Sequence, residues 1–169
     1  MNPAYNPFSY QRGSVWPHDN SIIAAGFARY GFHDQAASVA RDISEAGESF
    51  QGHRLPELYA GIERRPGSFP VLYPGANVPQ AWAAGSVFLF LQCILGLRAD
   101  APRARLYVDP HLPSWLPDIA LDGITVGSAT LGIRFWRQGD DSCWEILRQD
   151  GDVTVEQSAW LPWQTGAAG

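Results

Sequence analysis

Three short stretches concentrate the side chains that could do chemistry. The first, Tyr10-Gln11-Arg12-Gly13-Ser14-Val15-Trp16-Pro17-His18-Asp19-Asn20, sets an arginine, a tryptophan, a histidine and a carboxylate at a helix start. The same residues also suit a plain structural role, with Asp19 or Asn20 capping the helix and Trp16 stapling the chain onto it. The second, Arg54-Leu55-Pro56-Glu57-Leu58-Tyr59-Ala60-Gly61, puts one carboxylate between apolar neighbours in a loop framed by Pro and Gly. Apolar surroundings raise a carboxyl pKa toward that of a general base, and a nearby Arg54 opposes the shift. The competing reading is a solvated glutamate, as most are. The third, Tyr73-Pro74-Gly75-Ala76-Asn77-Val78-Pro79-Gln80-Ala81-Trp82, brings a phenol, amides and an indole to the start of an apolar helix. Asn77 suits a helix cap and Trp82 a core position, whereas Gln80, entering a buried helix, needs hydrogen-bond partners.

Other chemistries lack their residues. His18, His33, His53 and His111 are far apart without metal-ligand spacing, and Cys93 and Cys143 make neither a disulfide framework nor a metal cluster. No glycine-rich phosphate loop is present. Neither a metal nor an organic cofactor is therefore expected.

The elements that must position these groups read as helices followed by strands. Asp19 to Tyr30 has Ile22, Ile23, Gly26, Phe27 and Tyr30 at three- and four-residue steps, which predicts a helix stopped by Gly31. His33 to Glu48 predicts a second, with Ala36, Ala37, Val39, Ala40 and Ile43 on one side, so the pair forms an antiparallel hairpin. Ser49 to Pro79 is irregular and rich in Gly and Pro; a loop this long is usually functional or disordered, and its Leu55, Leu58, Tyr59, Phe69, Leu72 and Tyr73 favour function. Gln80 to Leu97 is apolar nearly all round, which favours a buried inner helix over a membrane span, since basic anchors are missing nearby. After Pro102 the period shortens. Leu106–Val108, Ile119–Leu121, Ile124–Val126, Thr130–Trp136, Trp144–Leu147 and Val153–Glu156 predict short antiparallel strands, and Ser158 to Gly169 a frayed tail.

Composition narrows the class. The chain has 169 residues, 46% hydrophobic and 17% charged, which suits a packed core. A net charge of −5 argues against nucleic acid or an anionic membrane as partner. The opening MNPAYNPFSY lacks the basic and apolar regions of a signal peptide, which makes the cytoplasm the default compartment. Seven Trp, six Tyr and eight Phe suit sugar-stacking surfaces, and suit ordinary cores better still.

The segments YNPFSYQRGSVWPHDN, RLPELYAG and NVPQAWAAGSVFLFLQCILGL, in this order, resemble the C-terminal part of bacterial amylo-α-1,6-glucosidase or glycogen-debranching-type proteins. These are relatives of the six-hairpin glycosidases, which form an (α/α)6 barrel. The likeness covers roughly residues 3 to 137. It implies that residues 1–101 are the last helical hairpins of such a barrel; with the strand and tail readings above, the expectation is a mainly α fold with a C-terminal β unit, 102–157 as a small antiparallel sheet and 158–169 as a disordered tail. It also implies inverting hydrolysis of α-glucosidic bonds in an α-linked oligosaccharide or polysaccharide, in which one carboxylic acid protonates the leaving oxygen and an opposing carboxylate activates water.

On that resemblance Glu57 matches the general base, with Tyr59 as its hydrogen-bond partner. Arg12, Trp16, His18 and Asn20 match the sugar-contacting turn, Gln80 and Trp82 the pocket floor, and Arg54 orients Glu57 or meets a hydroxyl. The family's general acid, an aspartate in an earlier Phe-Gly-Arg-Asp-like motif, has no counterpart here; Asp19 is the one carboxylate in the Trp16 cluster. The expectation is thus a C-terminal fragment holding half of an active site. The alternative is a non-catalytic carbohydrate-binding or regulatory module. The fragment reading also expects an apolar helical face through Val87, Phe88, Phe90, Leu91, Ile94 and Leu95, covered by the missing barrel half or by self-association.

Overall fold

The computed structural model describes residues 3–65 and 67–159. In order these form α1 (Pro17–Arg29), α2 (His33–Glu48), α3 (Ala81–Leu95), β1 (Arg98–Asp100), β2 (Arg105–Val108), β3 (Asp118–Val126), β4 (Ala129–Gln138), β5 (Asp141–Asp150) and β6 (Thr154–Gln157). The chain divides into two compact units, Met1–Ala25 with Ser38–Phe90, and Gly26–Ala37 with Leu91–Gly169.

The expectation of a mainly α chain contributing the last hairpins of an (α/α)6 barrel is corrected. About a third of the described residues are helical and only slightly fewer are strand, in three helices and two small sheets that make no stack of helical hairpins. The reason lies in which side chains are sealed. A hairpin stack buries its large side chains between helices, yet the largest sealed residues include Val108, Val126, Leu131, Ile133 and Phe135 from strands and Leu58 from a loop. On α1, beyond the buried Pro17 that opens it, the buried positions are small, Ser21, Ala24 and Ala28, while Ile22 and Ile23, and Tyr30 just past its end, face outward. The three- and four-residue steps that predict α1 thus mark its exposed side. Helix α3 does the same only in its first half, where Ala83 and Ser86 are buried and Trp82, Val87 and Phe88 are exposed. Of the six residues expected on one uncovered apolar face, Phe90, Ile94 and Leu95 are instead buried. Helix α2 follows its pattern, with Ala36, Ala40 and Ile43 buried and Arg41 and Asp42 outside. Among the described residues, no helix is long and apolar enough to cross a membrane.

In the first unit the polypeptide between helices is held by backbone pairing. Tyr59 forms isolated antiparallel bridges to Val15 on one side and Leu72 on the other, and Ala60 N–H donates to the Val71 carbonyl at 2.9 Å. This three-segment weave carries the residues of interest.

The second unit holds both sheets. β3, β4 and β5 form an antiparallel meander, with Ile119, Phe135 and Trp144 in one cross-strand row and bulges after Leu121 and Gly132. Strand β2 lies between β1 and β6, and its pairing with β6 is parallel, from Arg105 opposite Thr154 to Val108 opposite Gln157. The expectation of an all-antiparallel unit is corrected there, because β6 returns alongside β2 after the whole meander instead of through a hairpin. Gly96 ends α3 at φ 60°, and a Cβ there would stand 2.4 Å from the Asp109 carbonyl oxygen. That close approach lets Asp109 and His111 donate to the Leu95 and Ile94 carbonyls at 3.1 and 2.8 Å. Ser158 and Ala159 are described; the rest of the tail expected to be disordered lies outside the described residues.

Candidate functional site

Glu57 sits in the weave, only 8% exposed, and its carboxylate has donors on both oxygens. The Asn77 side-chain amide donates to Oε2 at 2.7 Å and the Asn77 backbone N–H at 3.3 Å, while Glu57 N–H donates to the Asn77 carbonyl at 2.9 Å. This reciprocal exchange fixes the carboxylate against the backbone. The Tyr10 hydroxyl donates to Oε1. Tyr10 is delivered by the segment before α1, which crosses the Glu57 segment at Gly13 and Gly61. A Cβ on Gly61 would lie 1.6 Å from the Gly13 carbonyl oxygen, so only glycine allows the crossing. Gly61 N–H donates to the Pro7 carbonyl at 2.9 Å, and the Tyr5 hydroxyl donates to the Gly61 carbonyl.

These bonds decide the charge of Glu57. The Tyr10 hydroxyl, followed by the Asn77 backbone N–H, holds its carboxyl below the usual range; burial pulls the other way, and the Asn77 amide and the nearby His18 ring add to the lowering. Of the two opposing influences read from sequence, apolar neighbours and Arg54, neither decides the shift; donors on both oxygens outweigh desolvation. Glu57 is therefore an ionised acceptor at neutral pH. Tyr10 moves oppositely, its phenol pKa raised first by the bond to Glu57 and then by burial.

A row of rings borders the carboxylate. Tyr73, Tyr10, Trp16, His18 and Trp82 follow one another edge to face, with successive centroids 5.8, 4.5, 5.3 and 4.7 Å apart. The row ends on Trp82, which is 68% exposed, and Tyr10 within it is 44% exposed. Trp16 is oriented by its indole N–H, which donates to the Tyr10 carbonyl at 3.1 Å and to Ser14 Oγ at 3.0 Å.

Of the residues singled out from sequence, Glu57, Trp16, His18 and Trp82 come together in this way. Asp19 lies exposed with Oδ1 3.3 Å from His18 Nε2. Asn20 turns back to α1, its amide donating to the Trp16 carbonyl at 2.8 Å. Gln80 is the α3 cap, Oε1 accepting from Ala83 N–H at 2.8 Å, and Asn77, a candidate for that cap, holds Glu57 instead. Arg12 and Arg54 are exposed, and neither side chain has a hydrogen-bond or ion-pair partner among the described residues. Tyr59 is not bonded to Glu57: its hydroxyl is buried without a hydrogen-bond partner among the described residues, and burial pushes its pKa up to about 12, against the opposing charge of Arg64. Tyr10 and Asn77 are the functional residues that the sequence reading missed. Both stand inside the quoted clusters, but nothing local points either at a residue 47 or 20 positions away.

The groups that set the Glu57 pKa include no second carboxylate. Among the described residues no three His, Cys, Asp or Glu side chains are placed to hold a metal ion. No protein-family model matches the chain, and no curated protein matches it either.

Proposed function

We propose that the first unit carries the base half of an inverting glycoside hydrolase site of the glycogen-debranching, amylo-α-1,6-glucosidase type. In this reading Glu57 is the general base, and the ring row from Tyr73 to Trp82 receives an α-linked glucan. One observation carries the proposal: a carboxylate kept ionised by Tyr10 and Asn77 borders a row of aromatic rings whose terminal member is open to solvent. An inverting base must be charged before water is activated, and flat rings stack on pyranose faces. The likeness of the three sequence segments to that family supports the same reading. The family's acid-bearing motif has no counterpart in this sequence, so in this reading the general acid comes from elsewhere. The cytoplasmic setting belongs to this proposal as well.

The second reading, a non-catalytic carbohydrate-binding or regulatory module, is favoured by the same engagement of both Glu57 oxygens in internal bonds. Binding and release separate the two. Maltooligosaccharide titration should quench tryptophan fluorescence saturably, and Trp82→Ala should abolish the change; absence of saturable binding would sink both readings. Sugar release from α-linked glucosides and branched dextrin should be undetectable with this chain alone, because loss of one acid/base partner costs about 10²–10⁴-fold. Release that Glu57→Gln abolishes would instead place the acid inside these residues, with Asp19 first in line. Addition of polypeptide bearing the missing acid restores release under the first reading and does nothing under the second.

A further inference from the structure

Two histidine rings of the second unit take no part in the chemistry above. His33, the first residue of α2, lies flat on His111, with the ring planes 14° apart and the centroids 3.4 Å apart. Their surroundings differ. His111 is exposed and has the Asp109 carboxylate 3.4 Å from its Nε2, so a positive charge on it has both water and a partner. His33 Nδ1 is sealed from solvent, with no hydrogen-bond partner among the described residues. A buried N–H without an acceptor is rare, so the neutral ring keeps its hydrogen on Nε2, and protonation adds one at Nδ1, where nothing accepts it. The positive end of α2 opposes a charge there as well. Burial, followed by the charge of His111, holds the His33 pKa down against Asp109 across the contact and Asp34 on the same helix. Arg29, the charged residue closing α1 before the turn, is itself engaged.

The two sides of the stack are braced unequally. His111 N–H donates to the Ile94 carbonyl at 2.8 Å, Leu112 N–H donates to Ser142 Oγ at 2.9 Å, and the Arg137 guanidinium donates to the Leu112 carbonyl, so this segment is fixed to α3 and to the meander. His33 instead follows the tight turn at Gly31-Phe32, where Gly31 has φ 81° and Phe32 is exposed. We propose that the His33–His111 stack is an acid-released latch. With at most one ring charged it holds the start of α2 against the Asp109–Leu112 segment; with both charged the rings part, and the turn with the first residues of α2 loosens while the segment stays. The inference is independent of the reading of Glu57.

The test follows amide hydrogen exchange by NMR in the full chain at pH 7.5, 6.5 and 5.5, with each rate divided by that of the unfolded chain at the same pH. A ring that takes its proton only when released, at the ordinary value of 6.5, favours the released form about tenfold one pH unit lower. Ala36 N–H, which donates to the Phe32 carbonyl at 3.1 Å, and the neighbouring Ala37 N–H should therefore lose protection about tenfold by pH 5.5, whereas Leu131 and Ile133 in β4 stay within about twofold. His33→Phe keeps a flat ring that takes no charge, and should hold the Ala36 protection within about twofold over the same range. His111→Phe removes the second charge; it should cut the loss to under about threefold, and keeps the proposal testable if His33→Phe folds poorly. No loss in the parent, a loss shared by β4, or a loss that either substitution leaves undiminished would each overturn it.

Discussion

Replacing Gly61 by alanine tests the crossing that carries Tyr10 to Glu57. Gly61 does not have a left-handed φ, so the effect of a methyl group there is steric. The added carbon would stand 1.6 Å from the Gly13 carbonyl oxygen and 2.6 Å from its carbon, both backbone atoms, so no side chain can swing away to make room. Overpacking against a relaxing core costs about 1–3 kcal/mol, and an unyielding backbone puts this case at the upper end. Separation of the segments also strains the Val15–Tyr59 backbone pair, at 2.9 and 2.8 Å, and the Gly61–Pro7 bond at 2.9 Å, each worth about 1 kcal/mol. The expected loss is about 3 kcal/mol or more, which at a urea m-value of about 2 kcal/mol/M lowers the midpoint by about 1.5 M or more. Gly85→Ala is the matched control. Gly85 lies within α3, its added methyl meets nothing within 4 Å, and the better helix former should stabilise by about 0.5–1 kcal/mol. Urea unfolding followed by tryptophan fluorescence reads both. A Gly61→Ala midpoint within about 0.25 M of the parent, a change of the size ordinary surface substitutions give, would refute the crossing and with it the placement of Tyr10.

Tyr10→Phe removes the largest cause of the lowered Glu57 pKa, so a carboxyl-carbon NMR titration should find Glu57 shifted upward in the variant and unmoved in Tyr59→Phe. Gln80→Ala should cost about 1 kcal/mol as a lost helix cap and leave sugar binding intact, whereas Asn77→Ala should raise the Glu57 pKa. His33 stacks on His111 with ring centroids 3.4 Å apart, and burial, followed by the charge of His111, lowers its pKa against the opposing Asp109 and Asp34. A histidine lowered in the folded state is protonated first in the unfolded chain. Its contribution is therefore complete above the ordinary value of 6.5 and falls as the pH drops from there to the folded-state pKa. Urea midpoints at pH 7.5, 6.5 and 5.5 should show that decline in the parent and less of it in His33→Gln.

How much of this was legible depends on the range of the interaction. The α2 stripe follows from a pattern a few residues long, whereas Ile119–Leu121 and Ile124–Val126, read as two strands, are one strand, β3, with a bulge at Asp122-Gly123. The burial of α1 does not follow from its pattern, because Ser21, Ala24 and Ala28 permit close approach and go inward while the more hydrophobic Ile22 and Ile23 stay out. Hydropathy periodicity ranks side chains by transfer energy and says nothing of the shape of what they must meet. The parallel β2–β6 pair is invisible for a similar reason, since the strands are joined through the entire meander. At the site, local reading found the carboxylate and the rings but chose the nearest phenol, Tyr59, over Tyr10. It offered Asn77 as the α3 cap and Gln80 as pocket floor, whereas Gln80 caps α3 and Asn77 holds Glu57.

The Glu57 environment also sets a condition on the proposed chemistry. The two donors that keep the carboxylate ionised lower its affinity for a proton as well, so a Glu57 holding both is a weak base. Water activation therefore requires one donor to leave as the sugar arrives. Asn77 is bound by a backbone exchange on top of its side-chain bond, and its release would open the weave. Tyr10 is 44% exposed and reaches Glu57 through its hydroxyl alone, its main chain held separately by Ser14 Oγ and Trp16 Nε1 on the Tyr10 carbonyl. A side-chain rotation then frees Oε1 without disturbing the backbone. In a hydrolase, Tyr10→Phe should raise the basicity of Glu57 and move the acidic limb of the pH–rate profile upward; in a binding module it should change only affinity.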